Sequence, residues 1–168
     1  NIDVTYIDKI IEYILTNVPS TTKIKCDVLK YFISDPRLKN IMELNPHNTY
    51  RQTKEDVIFN KAYATCAPSI KIKYGSLNLK NIISGDDCAS MYGDVTIFYK
   101  KEIRERTTFL YGNSEASMLY VCTFKYFKHI LYHMPIEMIK TLVELVDNGH
   151  TDKKFNNYIE IQLHGEIN

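Results

Sequence analysis

The hydrophobic period of this chain changes near Pro68, and that change limits the architectures open to it. Before Pro68 the apolar residues keep helical spacing. Val4, Ile7, Ile10, Ile11, Ile14 and Val18 recur at steps of three and four, one stripe of an amphipathic helix, with Asp3 as N-cap and Pro19-Ser20 as the stop. The pattern continues less regularly through Ile24, Val28 and Phe32, which predicts a second helix over residues 22–33. Asp35-Pro36 predicts the start of a short third helix carrying Leu38, Ile41 and Met42, ended by Asn45-Pro46. Thr53 with Asp56 has the form of a capping box, opening a helix through Val57, Ile58 and Tyr63.

After Pro68 the period falls to two. Ile70 to Tyr74 alternates like a half-buried strand, and Gly75 interrupts it before Leu77-Asn78-Leu79. Asp94 to Tyr99 reads as a buried strand and Thr107 to Tyr111 as another, with the charged excursion Lys100 to Arg106 between them. A long helix is predicted from Glu115 to Met134, with Met118, Cys122, Phe127, Ile130 and Met134 toward the core. Pro135 suits the start of a further helix that Asn148-Gly149 closes. Tyr158 to His164 alternates strictly again. The expected class is α+β. A mostly helical part, residues 1–66, packs on a small, split, mainly antiparallel sheet with helices in residues 67–168, all as one domain.

Composition removes several functions. Twenty-one Lys and Arg against twenty Asp and Glu leave a net charge of +1, no field for gripping a phosphate backbone, so no nucleic-acid partner is expected. The apolar runs fall far short of the roughly 20 residues of a membrane span, and no leader-like segment opens the sequence. Cys26, Cys66, Cys88 and Cys122 form no C-x-x-C pair and read as thiols of a reducing compartment. The expected location is the cytoplasm, or another cell's cytosol reached by a secreted or translocated effector. The six glycines are never closer than eight residues, which excludes both the dinucleotide fingerprint and the phosphate-binding loop.

Two catalytic patterns are imitated without being met. His129 and His133 stand four apart on a predicted helix, but Ile130 replaces the glutamate of the zinc-peptidase pattern, so no metal is expected. Gly112-Asn113-Ser114-Glu115-Ala116 mimics a nucleophile elbow, with Asp147 and His150 in hydrolase order. A turn leading into an N-capped helix accounts for it better.

The last alternating segment carries the most chemistry. Ile159, Ile161 and Leu163 fall on one face, and Tyr158, Glu160, Gln162 and His164 on the other. Period alone favours a surface strand whose polar row meets water. The same row of carboxylate, amide and imidazole also suits a cleft that orients a polyhydroxylated ligand. Two further clusters stand out: Lys73 to Asn78, where Gly75 allows another backbone or a ligand to approach, and Thr107 to Ser114.

Taken in order, these clusters resemble a family. Phe59-Asn60-Lys61-Ala62-Tyr63, then Tyr74-Gly75-x-Leu77-Asn78, Tyr92-Gly93-Asp94, Thr107-Thr108-Phe109-x-Tyr111-Gly112-Asn113-Ser114 and Tyr158-x-Glu160-x-Gln162-x-His164-Gly165 resemble a bacterial and fungal domain of unknown function. That family is suspected to be related to ADP-ribosyltransferases. The likeness spans about residues 55–165. The family's histidine-proline-aspartate-arginine stretch has no counterpart here, and Arg51 and Arg37 are the candidates for the first-strand residue that would grip NAD.

The resemblance implies an ADP-ribosyltransferase-like fold that binds NAD as substrate in a sheet cleft and breaks the bond from nicotinamide to ribose. The transition state is oxocarbenium-like, as in glycoside hydrolysis, and calls for a well-placed carboxylate. On this reading Glu160 is catalytic and Gln162 assists it. Tyr74, Gly75, Ser76, Asn78, Arg51 and His164 bind the dinucleotide, and ADP-ribose passes to an unidentified target protein. NAD glycohydrolysis, or a non-catalytic binding module with the same fold, are the alternatives.

Overall fold

The computed structural model describes residues 4–115 and 120–168. Helix α1 (Val4–Asn17) places Ile10 and Ile14 wholly inside, with Val18 just beyond its end. Its C-terminal carbonyls are capped from far away in sequence: the buried Arg104 guanidinium donates to the carbonyls of Leu15 and Val18. The proposed N-cap, Asp3, lies outside the described residues.

Strand β1 (Ser20–Ile24) occupies the start of the segment expected to be a second helix; only Cys26–Ile33 is helical there, as 3₁₀ turns with no buried residue. The physical reason is pairing with segments distant in sequence. Thr21, Thr22 and Ile24 are β-branched; Thr21 pairs with both Ser76 and Phe98, and Thr22 and Ile24 pair with Ile97 and Val95, while the stretch that follows has no core to face. Helix α2 (Ile41–Leu44) starts later than Asp35-Pro36 suggested, because Asn40 and Glu43 form a reciprocal capping box. Helix α3 (Thr49–Ile58) starts earlier than Thr53. Asn48 accepts from the Arg51 amide at 3.0 Å, and the Thr53 hydroxyl instead bonds the Thr49 carbonyl inside the helix.

Strand β2 (Lys73–Leu77) begins after a 3₁₀ turn at Pro68–Ile70, so the alternation from Ile70 is only partly strand. Gly75 lets β1 and β2 approach: a Cβ there would lie 2.2 Å from the Thr21 carbonyl oxygen. Strand β3 (Val95–Phe98) is a half-exposed edge, not a buried strand. Strand β4 (Thr107–Tyr111) is as expected.

The long helix expected from Glu115 is not formed as such. Ala116 to Leu119, including Met118, lie outside the described residues. Cys122–Thr123 is strand β5, paired with Phe109 and Thr108; a 3₁₀ turn follows at Phe124–Tyr126, and α-helix is reached only at α4 (Lys128–His133). Cys122, Phe127, Ile130 and Met134 are nevertheless buried. Helix α5 (Ile136–Asn148) follows Pro135 and ends on Gly149, which takes a left-handed φ of 74°.

Strand β6 (Ile159–Leu163) lies between β2 and β4. The result is one open, wholly antiparallel six-stranded sheet in the order β3-β1-β2-β6-β4-β5, continuous rather than split. On one face Ile159, Ile161 and Leu163 meet Phe109, Phe127, Leu142 and Leu145 in the apolar core beneath α1, α4 and α5. The other face is also covered, partly by the polar helix α3. Every residue of β6 is therefore buried, which overturns the surface-strand expectation.

Candidate active site

Register brings the polar residues together. In the antiparallel pairing of β2 with β6, Tyr74 stands opposite Gln162 and Ser76 opposite Glu160. Partners across a ladder share a face, so Tyr74, Ser76, Glu160 and Gln162 form one patch. A cleft of about 320 Å³ opens over this patch, lined by Arg51, Tyr74, Gly75, Ser76, Tyr158 and Glu160, with Tyr50, Tyr92 and Asn113 also in its wall. A larger hollow of about 440 Å³ lies beside Asn78, Asp86 and Lys154. That hollow has one aromatic ring in its lining, Phe155, whereas the smaller cleft sets the buried Glu160 carboxylate among Tyr50, Tyr74, Tyr92 and Tyr158, so the smaller cleft is the candidate site.

Glu160 is 4% exposed. One carboxylate oxygen accepts the Ser114 backbone N–H at 3.1 Å, and the other accepts the Gln162 amide at 2.9 Å. Burial pushes its carboxyl above the ordinary range, opposed by hydrogen bonds from Ser114 and Gln162 and by the charge of Arg51. The group is thus partly desolvated yet held by fixed donors, as in sites that stabilise a developing cation.

Arg51 is 8% exposed and stands over the Tyr74 ring at 3.7 Å from its centroid. Its nitrogens are each 3.5 Å from the Glu55 carboxylate, the Ser114 hydroxyl and the Glu115 carboxylate. These long contacts leave the fork loosely engaged. Glu55, almost wholly buried, also accepts from the Tyr74 hydroxyl at 3.2 Å, and burial raises its pKa and that of Tyr74. Among the described residues the other Glu55 oxygen and the Ser76 hydroxyl have no hydrogen-bond partner.

Of the residues expected to form the site, Arg51, Tyr74, Gly75, Ser76 and Glu160 converge on the cleft. Arg51 does so from α3, however, and not from the first strand, which carries no arginine. Arg37 lies elsewhere, paired with Asp35 and Glu43. Gln162 and His164 sit behind Glu160 without lining the cleft. Asn78 is turned away: its amide donates to the Ile82 carbonyl at 2.6 Å and its oxygen accepts the Ile82 N–H, closing a turn at the other hollow.

Glu55 had no separate signal in the sequence, because a Glu four residues after an Arg reads as a solvated helix pair. Ser114 was visible as part of a turn motif, but its contribution is its backbone N–H. Its side chain is fully buried, and His150 bonds the nearby Asn148 carbonyl, so the hydrolase pattern does not assemble. His129 and His133 pack edge to face, with Tyr120 stacked on His133, and among the described residues no group of three metal-ligating side chains forms. The four cysteines are all free thiols. Among the described residues no helix is long and apolar enough to cross a membrane.

No protein-family model matches the chain, and no curated protein matches it in sequence at a significant level.

Proposed function

We propose that this protein is a NAD-dependent mono-ADP-ribosyltransferase of the ADP-ribosyltransferase-like class, acting on a target protein. The observation that carries this reading is Glu160: a buried carboxylate on a central strand, at the head of a cleft shared with Tyr74, Ser76 and Arg51. Such a carboxylate can hold a ribose hydroxyl and stabilise positive charge as the glycosidic bond to nicotinamide loosens. The aromatic wall formed by Tyr74, Tyr92 and Tyr158 suits a flat ring, and the loosely engaged Arg51 fork suits a phosphate oxygen. The absence of clustered glycines agrees with a dinucleotide held by side chains in a cleft.

Calorimetry and label transfer test the proposal. NAD should bind the wild type, and Tyr74→Ala should weaken binding at least tenfold. With NAD labelled in its adenylate half and a cell lysate, a protein band should acquire label. Release of nicotinamide without a labelled band would favour water as acceptor, which is glycohydrolysis. Failure of NAD to bind would overturn both readings in favour of a non-catalytic module.

A further inference from the structure

We propose that Thr108 and His164 are positioning residues that set the direction of one hydrogen-bonded chain, Tyr63–His164–Thr108–Gln162, so that it ends by donating an N–H to the Glu160 carboxylate. The catalytic consequence rests on the role given to Glu160 above; the direction of the chain does not.

The geometry admits few alternatives. Thr108 Oγ1 lies 2.9 Å from Gln162 Oε1 and 2.9 Å from His164 Nε2, and His164 Nδ1 is hydrogen-bonded to the Tyr63 hydroxyl. Gln162 Nε2 lies 2.9 Å from Glu160 Oε1. An ionised carboxylate accepts only, so Gln162 must present its NH₂ group to Glu160 and its carbonyl to Thr108. The single Thr108 proton is then spent on that carbonyl. Thr108 can only accept from His164, which must carry its proton on Nε2. The remaining lone pair, on Nδ1, accepts from the Tyr63 O–H. Burial lowers the His164 pKa and raises that of Tyr63, so the imidazole is kept neutral and the phenol protonated, as this arrangement needs.

The reverse direction is also complete, but for a different charge state. Turning the Gln162 amide over would put its carbonyl against Glu160, which works only when Glu160 has taken up one proton to donate. Thr108 would then accept from Gln162 and donate to Nε2, leaving the imidazole proton on Nδ1 and Tyr63 as acceptor. The total proton count differs by the one on Glu160. An Nδ1–H tautomer of His164 therefore requires a protonated Glu160, an ionised Glu160 allows only the Nε2–H tautomer, and a cut at Thr108 uncouples them.

Other groups act on both ends. Arg51 from α3, Tyr74 from β2 and Tyr158 just before β6 act on Glu160, beside the Ser114 amide. Phe59 meets the His164 ring edge on, and Glu55 acts on Tyr63. None of these supplies the Gln162 carbonyl with a proton; among the described residues Thr108 is its hydrogen-bond donor.

The test is NMR of the full chain without NAD, so that failure of the transferase reading does not affect it. The Glu160 carboxyl is titrated by its ¹³C shift and the His164 tautomer read from its ¹⁵N shifts, in the wild type, Thr108→Val and Thr108→Ser. Where Glu160 is ionised, wild-type His164 should be the Nε2–H tautomer. Thr108→Val, which removes the hydroxyl at similar size, should raise the Glu160 midpoint by about one pH unit, and Thr108→Ser should restore it. A wild-type Nδ1–H tautomer at that pH, or an unchanged midpoint in a natively folded Thr108→Val, would overturn the proposal. Should the valine variant not fold, the wild-type tautomer at a pH where Glu160 is ionised decides the matter alone.

Discussion

The Arg51 guanidinium stands over the Tyr74 ring, 3.7 Å from its centroid, and so ties helix α3 to the sheet strand next to Glu160. A planar cation is needed for this, since an ammonium cannot both cover the ring and reach Glu55 and Ser114 with separate nitrogens. Arg51→Lys is expected to fold but to lose about 1–2 kcal/mol of stability. Urea denaturation measures it, and an unchanged midpoint would show that the pair does not hold α3.

Gly75 and Gly149 give a matched contrast. At Gly75 a methyl group would meet the Thr21 backbone oxygen at 2.2 Å, which no side-chain movement relieves, whereas at Gly149 nothing lies within 4 Å and only the φ of 74° is strained. Gly75→Ala should cost about 3 kcal/mol or more, by parting β1 from β2. Gly149→Ala should cost only about 1 kcal/mol. Thermal and urea unfolding of the two variants compare them directly.

The same two glycines show what was legible in advance. Local signals that need no partner read correctly: the α1 stripe, the proline and glycine bounding α5, the close approach at Gly75 and the period of two in Tyr158 to His164. What misled was tertiary. Thr22 to Ile24 looks helical by the spacing of Ile24, Val28 and Phe32, yet belongs to a strand, β1, because β2 and β3 lie on either side of it. The polar row of β6 looks solvent-facing because periodicity does not disclose that α3 covers it. Glu160, Tyr74 and Arg51 were named as candidates from the sequence, Arg51 as a first-strand residue, and all three line the cleft. Glu55 and the Thr108 link were not, since each depends on contacts across 19 or more positions.

Asp86 offers a test of the electrostatics with a defined sign. Burial raises its carboxyl from 3.8 to about 6, and its Oδ2 has no hydrogen-bond partner among the described residues. The folded state thus binds this proton more tightly than the unfolded chain. The stability it contributes is complete below about pH 4 and is lost as pH rises through about 6. Asp86→Asn keeps an oxygen for the Cys88 N–H, now 3.0 Å away, and removes the buried charge. The variant should exceed the parent by on the order of 2–3 kcal/mol at pH 7, with the gap closing toward pH 4. Denaturation curves at both pH values check this, and a gap independent of pH would contradict it.

The most direct measurement is the rate of nicotinamide release from NAD by the wild type and by Glu160→Gln, with a cell lysate supplying acceptors and circular dichroism confirming that both are folded. The side chain changes little in size and loses its charge. Release by the wild type, slowed at least about a hundredfold in the variant, is the predicted result. Equal rates in the two proteins, or no release by the wild type, would contradict the account.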